Sequence, residues 1–277
     1  LGELCGIHIR DGRRALAEVV GFRDDHLILL PLEHIEGISP GDVVTARTTP
    51  RHILLSEAAL GRVLNGLGEP IDGKGPLRGH VRCPLDMTSP APLSREKIAQ
   101  PLALGIRSID GVLTCGRGQR VGIFAGSGVG KSVLLGDIAV SSDAAVNVVA
   151  LIGERGREVR EFLEENLGPE GLARSVVVVA TSDAPPIQRV KAAFVAVTIA
   201  EFFRDRAQNV LFIILHQALI CFPSVFQRTL GHIGKGCFPR TYAFQKGIGL
   251  QIFFDKLVQL KIIHLQHMQG LLHYLCG

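Results

Sequence analysis

The sequence predicts an α/β fold in three parts: a small β-rich region, a parallel sheet covered by helices, and a divergent C-terminal tail. Three observations predict it. Residues 125–132 read AGSGVGKS, a glycine-rich loop between an apolar run and a helix-like segment. Beyond it, nearly unbroken apolar runs alternate with segments of helical period, the pattern of strands buried on both faces. Near residue 211 the composition then changes abruptly.

The bulk figures set the frame. With 277 residues, 47% apolar and 20% charged, the chain is long enough for one large domain with a smaller attachment. A net charge of +4 is too weak to argue for nucleic acid or a membrane surface as a partner. The six cysteines (5, 83, 115, 221, 237 and 276) stand singly, without a CxxC pair. Neither a zinc site nor a disulfide framework is therefore expected, and a reducing cytosol is the simplest compartment. The longest apolar stretch, VLFIILHQALICF (210–222), is interrupted by His216 and Gln217 and is too short for a membrane-spanning helix. Residues 1–30 lack the layout of a signal peptide, and a start at Leu1 carries the expectation that the true N-terminus is missing.

Residues 1–50 alternate short apolar stretches with turn pairs such as DGRR and SPGD, which predicts a small β-barrel or sheet. Residues 51–120 are expected to form an irregular connection. Pro84, Pro90, Pro92 and Pro101 exclude regular structure over much of its second half. The core is expected over 121–215. There VGIFA (121–125), VNVVALI (146–152), SVVVVAT (175–181) and VLFIIL (210–215) read as strands. Between them KSVLLGDIAV, residues 157–167 and residues 187–206 read as helices. In the second of these Val159, Phe162, Leu163 and Leu167 share one face.

A strand, a glycine-rich loop and a Lys-Ser pair opening a helix are the context in which such a loop holds phosphate. Gly126, Gly128 and Gly130 permit the backbone turns that aim N–H groups at an anion, and Ser127 and Val129 complete the cradle. The helix N-terminus adds unpaired N–H groups and the positive end of its dipole. Lys131 can reach the β/γ-phosphates, and the Ser132 hydroxyl can ligate Mg²⁺. A second motif, GERGREVREF, follows the strand 146–152. Its Glu154 can orient an attacking water, and Arg155 can stabilise charge on the transferred group. The same residues also suit an ordinary charged helix start, and spacing alone leaves both readings open. Asp183, after the strand 175–181, reads as a cap or turn residue, and Cys115 as a small packed hydrophobe.

Four stretches carry a resemblance: GRVLNGLGEPIDG, LGIRSIDGVLTCGRGQRVGIFAGSGVGKSVLLGDIA, ALIGERGREVREFLEENLG and ARSVVVVATSDAPPIQRVKAAFVAVTIAEFFRDR. Together they resemble the ATPases of type III protein export, both the flagellar enzymes and those of virulence injectisomes. That family is similar to the catalytic subunit of rotary ATP synthases. The resemblance spans about residues 1–211 and implies a P-loop parallel-sheet ATPase core preceded by a remnant β-barrel. It further implies that Lys131 and Ser132 bind the phosphates of ATP and Mg²⁺, that Glu154 positions the hydrolytic water, and that Arg155 lies near the γ-phosphate. A homo-hexamer, cytoplasmic and peripheral to the inner membrane, would act with export-apparatus components and export substrates. A rotary ATP synthase subunit is the alternative enzyme, disfavoured by Gly156 and the following EVREF. A hexameric RNA helicase would need stacking aromatics in residues 1–50, where Phe22 stands alone. A non-catalytic nucleotide-binding fragment is the remaining rival.

The resemblance breaks after QNVLFII. Where the family has a Mg²⁺-organising aspartate, this chain reads Leu215, His216, Gln217. No neighbour-reaching arginine or C-terminal helical domain can be identified in 212–277. Residues 206–277 hold seven Lys/Arg against one acid, Asp255, with five of the ten histidines. A shifted reading frame after about residue 211 accounts for both the lost motifs and the composition. A genuine basic tail for an acidic partner or RNA, and an amphipathic membrane-surface segment at 248–265, are the competing readings.

Overall fold

The computed structural model describes residues 1–47, 52–85, 91, 93, 95–124, 128–206 and 208–216. The divergent segment from 217 onward, and with it all three readings of the tail, lies outside the described residues.

The N-terminal region is an antiparallel sheet. Strands β1 (Leu4–His8), β2 (Arg14–Arg23), β3 (His26–Pro31) and β4 (Val43–Arg47) lie in the order β3-β2-β1-β4. Register shifts between Val19 and Gly21, so β2 is bulged where it turns across the sheet. Its inner face buries Ile7, Ile9, Ala15 and Ala17.

The core sheet is parallel, ordered β10-β8-β9-β6. Its members are β6 (Arg62–Asn65), β8 (Val146–Ile152), β9 (Ser175–Ala180) and β10 (Val210–His216). Every residue of β8 and β9 is buried, as expected for strands covered on both faces. One layer beneath the sheet is helix α4 (Pro186–Arg204), packing Val195, Ile199 and Phe203 against Val148, Ala150 and Val178. The other layer is α1 (Lys131–Ser141), with Leu135 and Ile138 against Val149, Leu151 and Ile213. On that side too lie α2 (Gly156–Glu161), a π-helical turn at Phe162–Leu167 and α3 (Gly168–Ala173). Val159 of α2 and Phe162 and Leu167 of the π-helical turn are buried there.

Two expectations need correction. The stretch 51–120 does not run wholly as an irregular connection, because β6 pairs in parallel with β9 through Arg62–Asn65 against Val176–Val179. A further ribbon, β5 (His52–Leu55) with β7 (Val81–Pro84), also lies within it. Four residues among glycines give too short a periodic signal to announce a strand. Conversely, residues 121–123 of VGIFA form no strand, and only Phe124 makes a bridge. Val121 and Ile123 still pack on the α1 layer, so the apolar run reports burial rather than pairing.

The barrel is fixed to the core. Val20 and Leu32 pack with Leu67 and Ile187. Beside them Lys191 of α4 donates to Oε1 of the buried Glu18 at 2.8 Å. His34 also reaches the carbonyl of Asp183 at 3.0 Å, tying the barrel to the loop after β9.

Candidate nucleotide site

Helix α1 begins at an open end. Its N-cap is Gly130, left-handed at φ +85°, preceded by Gly128 at φ +76°. Among the described residues, neither glycine would place an added Cβ within 4 Å of another atom, so it is the left-handed backbone that calls for glycine there. The Gly130 carbonyl accepts the Leu134 N–H at 3.0 Å and starts the helix. Gly130, as N-cap, has no side chain with which to cap the first turn, and no acidic residue lies in that turn. An anion placed there would meet the first N–H groups of α1 and the positive end of its dipole. Lys131 and Ser132 are half-buried in that turn, while Val129 is 65% exposed. Gly126 and Ser127 lie outside the described residues.

The direction of α1 follows from its other end. The side-chain amide of Asn147, near the start of β8, donates to the carbonyl of Ala139 in the last turn at 2.8 Å. The helix therefore runs antiparallel to β8, over roughly 16 Å against roughly 20 Å for the strand. Its loop end lies beside the carboxyl end of β8, where Gly153 turns at φ +77° into Glu154. The sheet thus brings Lys131, Ser132, Glu154 and Arg155 to one edge.

Glu154 is buried, 7% exposed, and its carbonyl accepts the Ser182 N–H at 3.0 Å. Arg155 is the N-cap of α2, with its side chain 61% exposed and 3.6 Å from Glu158. The two motif residues thus have opposite surroundings. Glu154 is enclosed, whereas the Arg155 guanidinium is largely exposed beside Glu158. Leu215 is 2% exposed within the α1-side apolar layer and offers no oxygen to a cation. Among the described residues, no group of three His, Cys, Asp or Glu could hold a metal. Ser132 is the hydroxyl ligand available to Mg²⁺ in this first turn, which fits a metal held mainly by phosphate oxygens and water. Asp183 behaves as a turn residue: its carboxylate is held below its ordinary range by the Thr181 hydroxyl. Cys115 is buried in the α1-side layer, and burial pushes its thiol up.

Sequence patterning missed the far end of α1. Arg174 and Asn147 converge there, and the one signal for it was a lone Asn inside the apolar run VNVVALI.

Two family models match this chain: the ATP synthase alpha/beta nucleotide-binding domain over residues 105–217 and the family's beta-barrel domain over 1–47. Together they take in more than half of it. The chain belongs to the ATP synthase alpha/beta family. Within that family it is 48% identical over 214 residues to the flagellum-specific ATP synthase of Bacillus subtilis, covering 76% of this chain and 49% of that one. It is 50% identical to the type 3 secretion system ATPase of Xanthomonas euvesicatoria, with 76% and 48% covered. The flagellum-specific ATP synthase of Treponema pallidum aligns at 44% identity over 90% of this chain and 55% of its own. That last alignment runs past residue 211. Among solved structures, the assembled ATPase EscN of the enteropathogenic E. coli type III secretion system matches with a TM-score of 0.69. It is 44% identical over 77% of this chain and 51% of EscN. The resemblance to type III export ATPases is thereby borne out, as is the barrel-plus-parallel-sheet fold. This family member spans about half the length of the curated relatives it matches.

Proposed function

We propose that this chain is the nucleotide-binding part of a type III protein export ATPase, which couples ATP hydrolysis to release or unfolding of export substrates. One observation supports the reading above the others: α1 starts at left-handed Gly128 and Gly130 and, by its direction against β8, starts toward the end of the sheet that Glu154 follows. The backbone N–H groups of the loop and Lys131 bind the phosphates, and the Ser132 hydroxyl holds Mg²⁺. Bound Mg²⁺ supplies charge neutralisation on the phosphate oxygens. Glu154, enclosed beside the loop, orients a water, and Arg155 faces charge that develops on the transferred group. Gly126 and Ser127 are assigned to the cradle from the sequence alone.

A ring of six, export-apparatus partners and a place at the inner membrane are part of the same proposal. The flagellar and secretion-system relatives support it, as does the similarity to EscN, which was solved as an assembled ATPase. No helix among the described residues is long and apolar enough to cross a membrane. The division into a barrel (1–50), a connection (51–120), a core (121–215) and a divergent tail (216–277) belongs here too, with β6 as the connection's contribution to the core sheet.

With Leu215 in place of an acid, binding without useful turnover is the expected phenotype of the 277-residue chain. Titration with a fluorescent ATP analogue tests the binding half. Lys131→Ala is expected to lose affinity by about 10²-fold or more with its circular dichroism unchanged. Equal affinities in the two proteins would remove the phosphate-loop assignment. Steady Mg²⁺-dependent phosphate release that vanishes in Lys131→Ala would overturn the expectation of binding without turnover.

A further inference from the structure

We propose that Arg174, acting with Asn147, is a positioning residue for the phosphate site: it fixes the far end of α1 and thereby sets where Lys131 and Ser132 meet Glu154. The inference rests on reading the loop as a phosphate binder. Among the described residues, the Arg174 guanidinium donates to four main-chain carbonyls at or just beyond the end of α1, the two N–H groups of Nη2 being shared among three of them. Nη2 reaches Ala139 at 2.6 Å, Val140 at 2.9 Å and Ser142 at 3.0 Å, and Nη1 reaches Ala144 at 2.9 Å. The carbonyls of Ala139 and Val140 are among the last four of the helix, which have no partner within it. A cation at this end also suits the negative end of the helix dipole.

Asn147 closes the figure. Its Nδ2 donates to Ala139 O and to Ser175 Oγ, and its backbone N–H donates to Arg174 O at 2.9 Å. The clamp and the carboxylate therefore belong to one rigid strand, since Asn147 stands near the start of β8 and Glu154 just past its end. Close packing adds to the grip. A Cβ on Gly136 would come within 2.6 Å of Asn166, and one on Gly105 within 2.3 Å of Ser141. Among the described residues, nothing packs as closely against Gly128 and Gly130 at the loop end. The position of the anion-binding turn is consequently set from the opposite end of its own helix. A planar, two-pronged cation does this where a lysine could reach fewer carbonyls at fixed angles.

The experiment uses the full 277-residue chain and inorganic tripolyphosphate, which reports phosphate contacts without any base. Arg174→Ala is expected to weaken tripolyphosphate affinity about 10- to 10²-fold, the scale of a misplaced binding group, and Arg174→Lys by less. Arg62→Lys, which loosens a buried ion pair at the β6 edge, serves as a destabilised control and should keep affinity within about twofold of the parent. If Arg174→Ala fails to fold, Arg174→Lys decides. Unchanged affinity in the folded Arg174 variant overturns the inference, and so does an equal loss in Arg62→Lys, since that would mark general destabilisation. Lys131→Ala separates the two levels. If it binds tripolyphosphate like the parent, the phosphate-loop reading falls and this inference falls with it. If it loses binding while the Arg174 variants keep theirs, only the clamp is overturned.

Discussion

The two ends of α1 are built on opposite principles. At its C-terminus Arg174, Asn147 and the close approach of Gly105 to Ser141 satisfy or cover the last turn. At its N-terminus the N-cap is a glycine without a capping side chain, two glycines hold left-handed backbone, and Val129 is exposed. A helix left unsatisfied at both ends would fray, and one capped at both ends would have nothing to offer an anion. The contrast shows how a fold can keep one terminus reactive by holding the other.

The largest effect should come from the open end, at the buried carboxylate. In a chain whose residues after 211 are replaced by a family-like continuation, ATP turnover is expected to appear. Glu154→Gln should then cut it by about 10²–10⁴-fold, the scale of a positioned base. Nucleotide affinity should stay near the parent value, because the phosphates are held by the α1 turn. Unaltered turnover would mean that another group orients the water.

Asn147→Ala addresses the clamped end. It removes two buried hydrogen bonds and leaves the Ser175 hydroxyl with Gly171 as its remaining partner. A loss of about 1–3 kcal/mol in denaturant unfolding is expected, with a smaller loss of phosphate affinity than in Arg174→Ala, because Arg174 still holds Ala139. An Asn147→Ala protein with parental stability would show that the amide contributes nothing there.

Gly130→Ala sharpens the comparison from the other side. Among the described residues nothing lies within 4 Å of the new methyl group, so the expected cost is that of the left-handed backbone, about 1–2 kcal/mol. Because relief of that strain would turn the first N–H groups away, nucleotide affinity should fall by roughly tenfold while the fold persists. Retained affinity, measured by the same fluorescent titration, would mean that the glycine conformation is not what aims those groups.

Much of this was legible in the sequence, for a physical reason. Strands β8 and β9 carry uninterrupted valine-rich runs because both faces are buried, and α4 has 19 residues over which helical period accumulates. The loop and Glu154 are local motifs whose meaning depends on a strand end and a helix start: Lys131 does open α1 and Glu154 does follow β8, whereas residues 121–123 before the loop form no strand. What failed was short or non-local. Strand β6 has four residues, and its pairing with β9 spans more than a hundred positions of chain. The Arg174 clamp joins segments 35 residues apart through main-chain carbonyls, which carry no sequence signal. The Treponema alignment also reaches into the divergent segment, so a reading frame lost for good after residue 211 has to be tested on the coding DNA. Another frame there that encodes an aspartate and an Arg-Phe pair would sustain the shifted-frame reading, and its absence would remove it.

The smallest effect on the site should come from a pair outside the comparison, at the β6 edge. Arg62 binds Asp72 through two nitrogens, at 2.6 and 2.9 Å, and both side chains are nearly buried. This guanidinium, with the backbone N–H groups of Val63 and Lys74, holds the Asp72 carboxyl well below the usual carboxylate range. A carboxylate with a lowered folded-state pKa contributes stability that is complete above its unfolded value, near about pH 4, and is lost as pH falls toward the folded value. Asp72→Asn should therefore be less stable than the parent at about pH 7, by about 1–3 kcal/mol. The difference should shrink steadily below about pH 4. Urea unfolding of both proteins across that range measures it. Nucleotide affinity at neutral pH should be the same in both, since the hydrogen bonds of Arg62 and Asp72 go to each other, Gly75, Val63 and Lys74 among the described residues, not to α1. A gap in stability that stays constant through acid pH would show that the Asp72 charge is not what the variant removes. A loss of affinity would mean that the site depends on the whole sheet rather than on the held end of one helix.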